Sequence, residues 1–308
     1  MIVTLLVTAI SAAQPGGEPL VIAHRGASGL RPEHTLAAYE LAIEQGADFI
    51  EPDLVMTRDG VLIARHDRYL STTTDIDERP DFADRKRVKD GREDWWAEDF
   101  TLAEIKTLRA RQPFAGRSKA FDGQFEIPTF EEVIALADKA GVGLYPETKS
   151  PAALAALGLD PVPELVRVLQ KHALDGAEAP VFVQSFEPDS LKRLNALIET
   201  PLVQLVYPKT ADDPDAAFES NIPLSAIAAY ADGVGPNKFL AISPAGADTG
   251  FIAAAHALSL SVHPWTFRDD AAPPDGASPE DEIARAFAYG ADGVFTDFPE
   301  TGVRARER

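Results

Sequence analysis

Short β-branched apolar runs alternate along the chain with longer stretches whose apolar residues recur near the helical period of 3.6 residues. The runs 20–24 (LVIAH), 49–53 (FIEPD), 142–147 (VGLYPE), 181–185 (VFVQS), 202–206 (LVQLV), 232–235 (DGVG), 260–266 (LSVHPWT) and 292–296 (DGVFT) predict eight strands. Helices are predicted at 34–46, 129–140, 161–174, 188–199, 221–231, 248–258 and 279–289; in the second of these, Phe130, Val133, Ile134 and Ala137 form the apolar stripe. Three helix-to-strand joints, GADFIE, YADGVG and YGADGVF, resemble one another, as repeated units would. The pattern predicts an α/β protein, a (β/α)8 TIM barrel. Spacing alone leaves a doubly wound open sheet as the alternative.

Residues 67–127 break the rhythm with dense charge, scattered aromatics and one helical pattern at 101–109, so they read as an insertion after the second strand. A shorter loop, DAAPPDGASPED, follows the seventh strand. At the N-terminus an apolar run over 2–10 precedes Ser11-Ala12-Ala13, a small-residue pattern suited to cleavage by an export system, although a basic n-region is missing. The expected organisation is a signal-peptide remnant over 1–13 and one domain over 14–308, in a periplasmic or secreted protein. No later run approaches the ~20 apolar residues of a membrane span.

Composition narrows the chemistry. There are no cysteines, which excludes disulfides, thiolate metal sites and a cysteine nucleophile. A metal would have to be held by carboxylates and histidines, which favours Ca²⁺ or Mg²⁺, or zinc if histidine takes part. The net charge of −20 argues against a nucleic-acid partner and requires any anionic substrate to find a local positive site.

The candidate chemistry lies at strand ends. Glu51 and Asp53 are two apart, as are Glu147 and Lys149, and residues i and i+2 of a strand face the same way. In a barrel the C-terminal strand ends converge on one mouth, so Glu51, Asp53 and Glu147 meet there beside Lys149. Three crowded carboxylates repel one another, and one divalent cation relieves that repulsion. Pro52, which cannot donate to a ladder, is expected to mark where pairing gives out at the mouth. His24 and Arg25 close the first strand. His66 ends an arm that follows the turn TRDG and folds back as a hairpin. Two imidazoles suit general acid and general base, and Arg25 offers a planar fork to a phosphate. His34 begins a helix and is expected to act locally there. Trp265 is expected to wall the pocket, with a packing role as its alternative.

The segments AHRGASGLRPEHT, IEPDLVMTRDG, RHD, YPETK, VQSF, VHPWTFR and GVFTDFP together resemble the glycerophosphodiester phosphodiesterases, the exported bacterial type most closely, in the family's order from residue 22 to 299. The resemblance implies a TIM barrel with an insertion after the second strand. It implies hydrolysis of a small-molecule glycerophosphodiester to sn-glycerol 3-phosphate and an alcohol. By position it implies that His24 and His66 are the acid/base pair, that Glu51, Asp53 and Glu147 hold the metal, and that Arg25 and Lys149 bind phosphate. In the family a glycerol hydroxyl attacks phosphorus first, giving a cyclic phosphate that water opens. His34 stands where many members have Asn, and Thr148 where a hydrophobic residue is usual.

The competing readings are a phospholipase D-like activity on lysophospholipid or sphingomyelin, an exported binding protein that captures phosphodiesters uncleaved, and a purely structural barrel. The choice of Ca²⁺ or Mg²⁺, the head-group alcohol and the oligomeric state are open at this level.

Overall fold

A computed structural model describes residues 17–209 and 218–308. The signal segment expected over 1–13 lies outside them.

Eight parallel strands close into a TIM barrel. The first, Leu20–His24, pairs with the eighth, Gly293–Thr296, on one side and with Phe49–Glu51 of the second strand on the other. The second strand resumes as Asp53–Met56, and the third runs as Gly143–Leu144 and then Glu147–Thr148. Val183–Ser185, Leu202–Val206, Gly233–Pro236 and Ser261–Val262 follow in order. Bonds from Asp292 N–H to Val262 O and from Phe295 N–H to Pro264 O, both 3.0 Å, close the ring.

The breaks in the second and third strands fall at Pro52 and Pro146. The expectation that pairing gives out at Pro52 is not met: the ladder skips one rung there and continues through Asp53–Met56. Each proline still accepts a bond, Pro52 O from Glu147 N–H and Pro146 O from Gln184 N–H, both 2.9 Å, but neither can donate. The seventh strand is shorter than its apolar run because Pro264 interrupts it, leaving single bridges at Trp265 and Phe267.

Alternation sorts the strand residues. Leu20, Ile22, Phe49, Tyr145, Phe182, Val203 and Phe295 fill the barrel interior. Their neighbours, such as Ala23, Ile50 and Val183, face the helical ring. The helix Phe130–Ala140 buries Phe130, Val133, Ile134 and Ala137 on that ring. It starts at a reciprocal Thr129/Glu132 cap and stops at Gly141, whose φ of 72° suits glycine. Burying each large apolar side chain contributes about 1.5–3 kcal/mol.

Several predicted helices are shorter in the structure, among them Leu224–Ile227 and Phe251–His256. Pro299–Arg306 was not anticipated, because the face it buries (Pro299, Thr301, Gly302, Ala305) carries no apolar stripe. No helix among the described residues is long and apolar enough to cross a membrane.

Within the 67–127 stretch, Leu70, Ile76, Phe82, Trp95, Phe100, Ile105 and Leu108 form a separate apolar cluster built on Val55 and Ile63. Those two belong to the antiparallel hairpin of Asp53–Met56 with Leu62–Ala64, the fold-back expected from TRDG.

His263 lies in the barrel interior, fully buried, with Nδ1 2.7 Å from the Tyr145 hydroxyl. Burial pushes its imidazole down to about 4. Between pH 6.5 and 4 the unfolded chain therefore binds a proton that the folded chain refuses, and stability falls as pH falls through that window. His263→Gln should remove a loss on the order of 3 kcal/mol from the pH dependence of urea unfolding. An unchanged difference between pH 7 and pH 4 would contradict this.

Candidate functional site

Register explains how residues distant in sequence meet. His24 is paired with Glu51, and one rung aligns Asp53, Glu147 and Gln184 across three strands. Glu51, Asp53 and Glu147 are all buried and offer oxygens within 4.8 Å of one another.

The loop after the first strand wraps this cluster. Arg25, at φ 59°, donates its backbone N–H to Glu51 Oε2 at 2.8 Å. Its guanidinium forks onto both oxygens of Glu33, each 3.2 Å away, and lies 3.3 Å from Asp53. Lys149 Nζ is 2.8 Å from Glu147 and 3.6 Å from Asp53. His34 does more than act locally in its helix: its Nε2–H donates to Asp53 at 2.9 Å, and its Nδ1 accepts from the Tyr39 hydroxyl at 2.8 Å.

These contacts divide the carboxylates. Burial would raise Asp53, but Lys149, the His34 bond, His66 and Arg25 together hold it well below the usual range. Burial, with the charges of Asp53 and Glu147, pushes Glu51 well up. Burial pushes Glu147 to about 8, against the pull of Lys149. Burial pulls Lys149 down, but Asp53 and Glu147 outweigh it and raise its pKa. Such crowding of buried oxygen donors fits a hard divalent cation. The histidine against the cluster, His34, has both ring nitrogens engaged, so the donor set is all oxygen.

The two other histidines flank the same space. His24, with a side chain 19% exposed, donates Nδ1–H to Asp297 Oδ1 at 2.6 Å; an ionised carboxylate only accepts, which fixes the tautomer. His66, 33% exposed, donates Nδ1–H to Asp67 at 2.8 Å. In both rings Nε2 is left without a protein partner among the described residues. Burial and Arg25 lower the His24 pKa, while Asp297 opposes them. Burial would raise Asp297, but the His24 bond and, after it, Arg117 hold it far below the usual carboxylate range.

A cavity of about 230 Å³ opens over these groups, lined by His24, Arg25, Glu51, His66, Glu147 and Lys149. Its far wall is aromatic. Phe186 and Tyr207 stack at 4.7 Å, and Trp265 stands edge-on to both. Trp265 is pinned by a 2.7 Å bond from its indole N–H to Gly235 O. Of the eight candidate site residues read from the sequence, seven line this opening, and Asp53 lies buried beside Glu51 and Glu147. Sequence reasoning missed Asp297, Glu33, Gln184, Phe186, Tyr207 and Arg117. Asp297 was visible only inside the segment GVFTDFP, without a role.

The glycerophosphoryl diester phosphodiesterase family matches residues 24–301. A glycerophosphodiester phosphodiesterase of Haemophilus influenzae is 32% identical, covering 94% of this chain and 90% of its own. One from Bacillus subtilis is 34% identical, covering 97% and 92%. The structure of an Oleispira antarctica phosphodiesterase in complex with the product sn-glycerol-3-phosphate is 25% identical, with a TM-score of 0.69 over 94% of this chain and 97% of that one.

Proposed function

The chain belongs to the glycerophosphoryl diester phosphodiesterase family, and on that premise we propose that it hydrolyses glycerophosphodiesters to sn-glycerol 3-phosphate and an alcohol, using one divalent cation, Ca²⁺ or Mg²⁺. The observation that carries this reading is the pair of carboxylate-held imidazoles, His24 and His66, facing one cavity with three carboxylates and two cations.

Arg25 and Lys149 provide the local positive charge that a phosphodiester needs in an acidic protein. A cation held by Glu51, Asp53 and Glu147 would add charge stabilisation for the phosphoryl oxygens. His24, neutral at pH 7, takes the proton of the attacking glycerol hydroxyl at Nε2 while Asp297 steadies the resulting imidazolium. His66 Nε2 donates a proton to the departing alcohol oxygen. The cyclic phosphate so formed is opened by water with the roles reversed. Trp265 and its aromatic partners shape the wall against which the substrate lies. Export, expected from residues 1–13, belongs to the same proposal.

Phosphorus NMR of glycerophosphocholine with the protein should show sn-glycerol 3-phosphate, preceded by a cyclic phosphate. Release of phosphocholine instead, or no turnover of any glycerophosphodiester with either metal, would sink the reading. The aromatic wall favours one second reading, cleavage of lysophospholipid, since Tyr207 is half exposed beside the cavity. Faster turnover of lysophosphatidylcholine than of glycerophosphocholine would select it.

A further inference from the structure

Arg117 belongs to none of the segments that carry the family resemblance. It sits in the charged stretch after the second strand, 180 residues from Asp297 in sequence. Yet its side chain is only 2% exposed, and its guanidinium joins three loops of the barrel mouth. Nη2 donates to Asp297 Oδ2 at 2.5 Å. Nη1 donates to Ser28 O at 3.0 Å, and Nε to Asp270 Oδ2 at 2.8 Å. The Phe114 ring covers it at 4.2 Å. Gln112, in the same stretch, donates to Ser28 O and Arg31 O, so residues 112–117 are docked on the loop that leaves His24. Ser28 in turn donates its hydroxyl to His24 O at 2.9 Å.

A carboxylate turns about its last side-chain bond unless both oxygens are assigned donors. Oδ1 of Asp297 serves His24, and Arg117 holds Oδ2. The only other cation at that carboxylate among the described residues is Arg268, farther away at 3.5 Å and 29% exposed. We propose that Arg117 is a positioning residue for His24, acting through Asp297, so that docking of residues 112–117 on the barrel mouth is a condition of full activity. This rests on the functional reading above, in which His24 exchanges protons with substrate. Groups that hold a metal-ligating residue from behind, through a second hydrogen bond, typically matter by 10–100-fold, and the same scale is expected here for a catalytic imidazole held through its carboxylate.

The test is a double-mutant cycle on the full chain with glycerophosphocholine and metal. Arg117→Met should lower kcat roughly 10- to 100-fold with KM changed less than about threefold. In an Asp297→Asn background the same substitution should cause no further loss, because the residue it acts through is already disabled. Arg117→Lys, which keeps the charge without the fork, should fall between wild type and Arg117→Met; it also stands in for the Met variant if that variant melts early. Wild-type kcat in both variants, equal losses in both backgrounds, or a change in KM alone would overturn the proposal.

If the wild type cleaves no glycerophosphodiester, the functional reading fails and the geometric arm still decides. The His24 Nδ1–H should give a downfield proton signal in the wild type that is lost or shifted in Arg117→Met. An unmoved signal would refute Arg117 as the group that positions His24.

Discussion

Asp297→Asn should lower kcat on glycerophosphocholine by roughly 10³- to 10⁴-fold, the scale seen when an aspartate that orients a catalytic histidine is made neutral. The reason lies in the donors around that side chain. Arg117 Nη2 demands an acceptor, so the asparagine carbonyl would turn towards it. The amide NH₂ would then face His24 Nδ1, where the carboxylate now accepts at 2.6 Å. The imidazole would be driven into the opposite tautomer, with its proton on Nε2, and could no longer take one from substrate. KM should change little, because in the proposed mechanism the phosphate is bound by Arg25 and Lys149 and not by Asp297. A kcat within threefold of wild type would remove His24 from the proposed chemistry.

Chelation should have an effect of similar size. Dialysis against EDTA is expected to reduce turnover to background, and adding back Ca²⁺ or Mg²⁺ to restore it. The physical cause is the crowding of three buried carboxylates whose oxygens lie within 4.8 Å, against which Arg25 and Lys149 set two cations among the described residues. The same cation should stabilise the fold, by about 2.7 kcal/mol at a free concentration 100 times its Kd. Glu51→Gln should weaken binding in calorimetry and shrink the rise in Tm. Unchanged activity in EDTA together with no calorimetric binding would refute the metal site. Whichever of the two ions both raises Tm and supports turnover identifies the one used.

The strand ends show how much of the site is local information. A strand repeats every two residues, which puts Glu51 and Asp53 on one face, and the structure keeps them together although Pro52 interrupts the ladder between them. His34 shows the opposite case. Its place at a helix start suggested a local role, but its ring reaches Asp53, 19 residues away, because the loop from Arg25 to His34 turns back over the mouth. The aromatic wall was likewise only one-third visible. Trp265 stood out at a strand end, whereas Phe186 and Tyr207 joined it only when barrel closure brought the ends of the fourth, fifth and seventh strands to one side of the mouth.

The chain by itself determined how many strands there are and where they fall along it, the faces of those strands and the residue types that end them. Periodicity and backbone sterics act within a few residues, so these features are written in any short window. Only the tertiary structure decided which strand ends touch. His24 meets Asp297 across 273 residues because the first and eighth strands pair to close the barrel. Arg117 reaches the same carboxylate because residues 112–117 dock on the loop after the first strand. Closure and docking are properties of the whole packed ring, settled by register and burial over its full circumference, and no local pattern contains them.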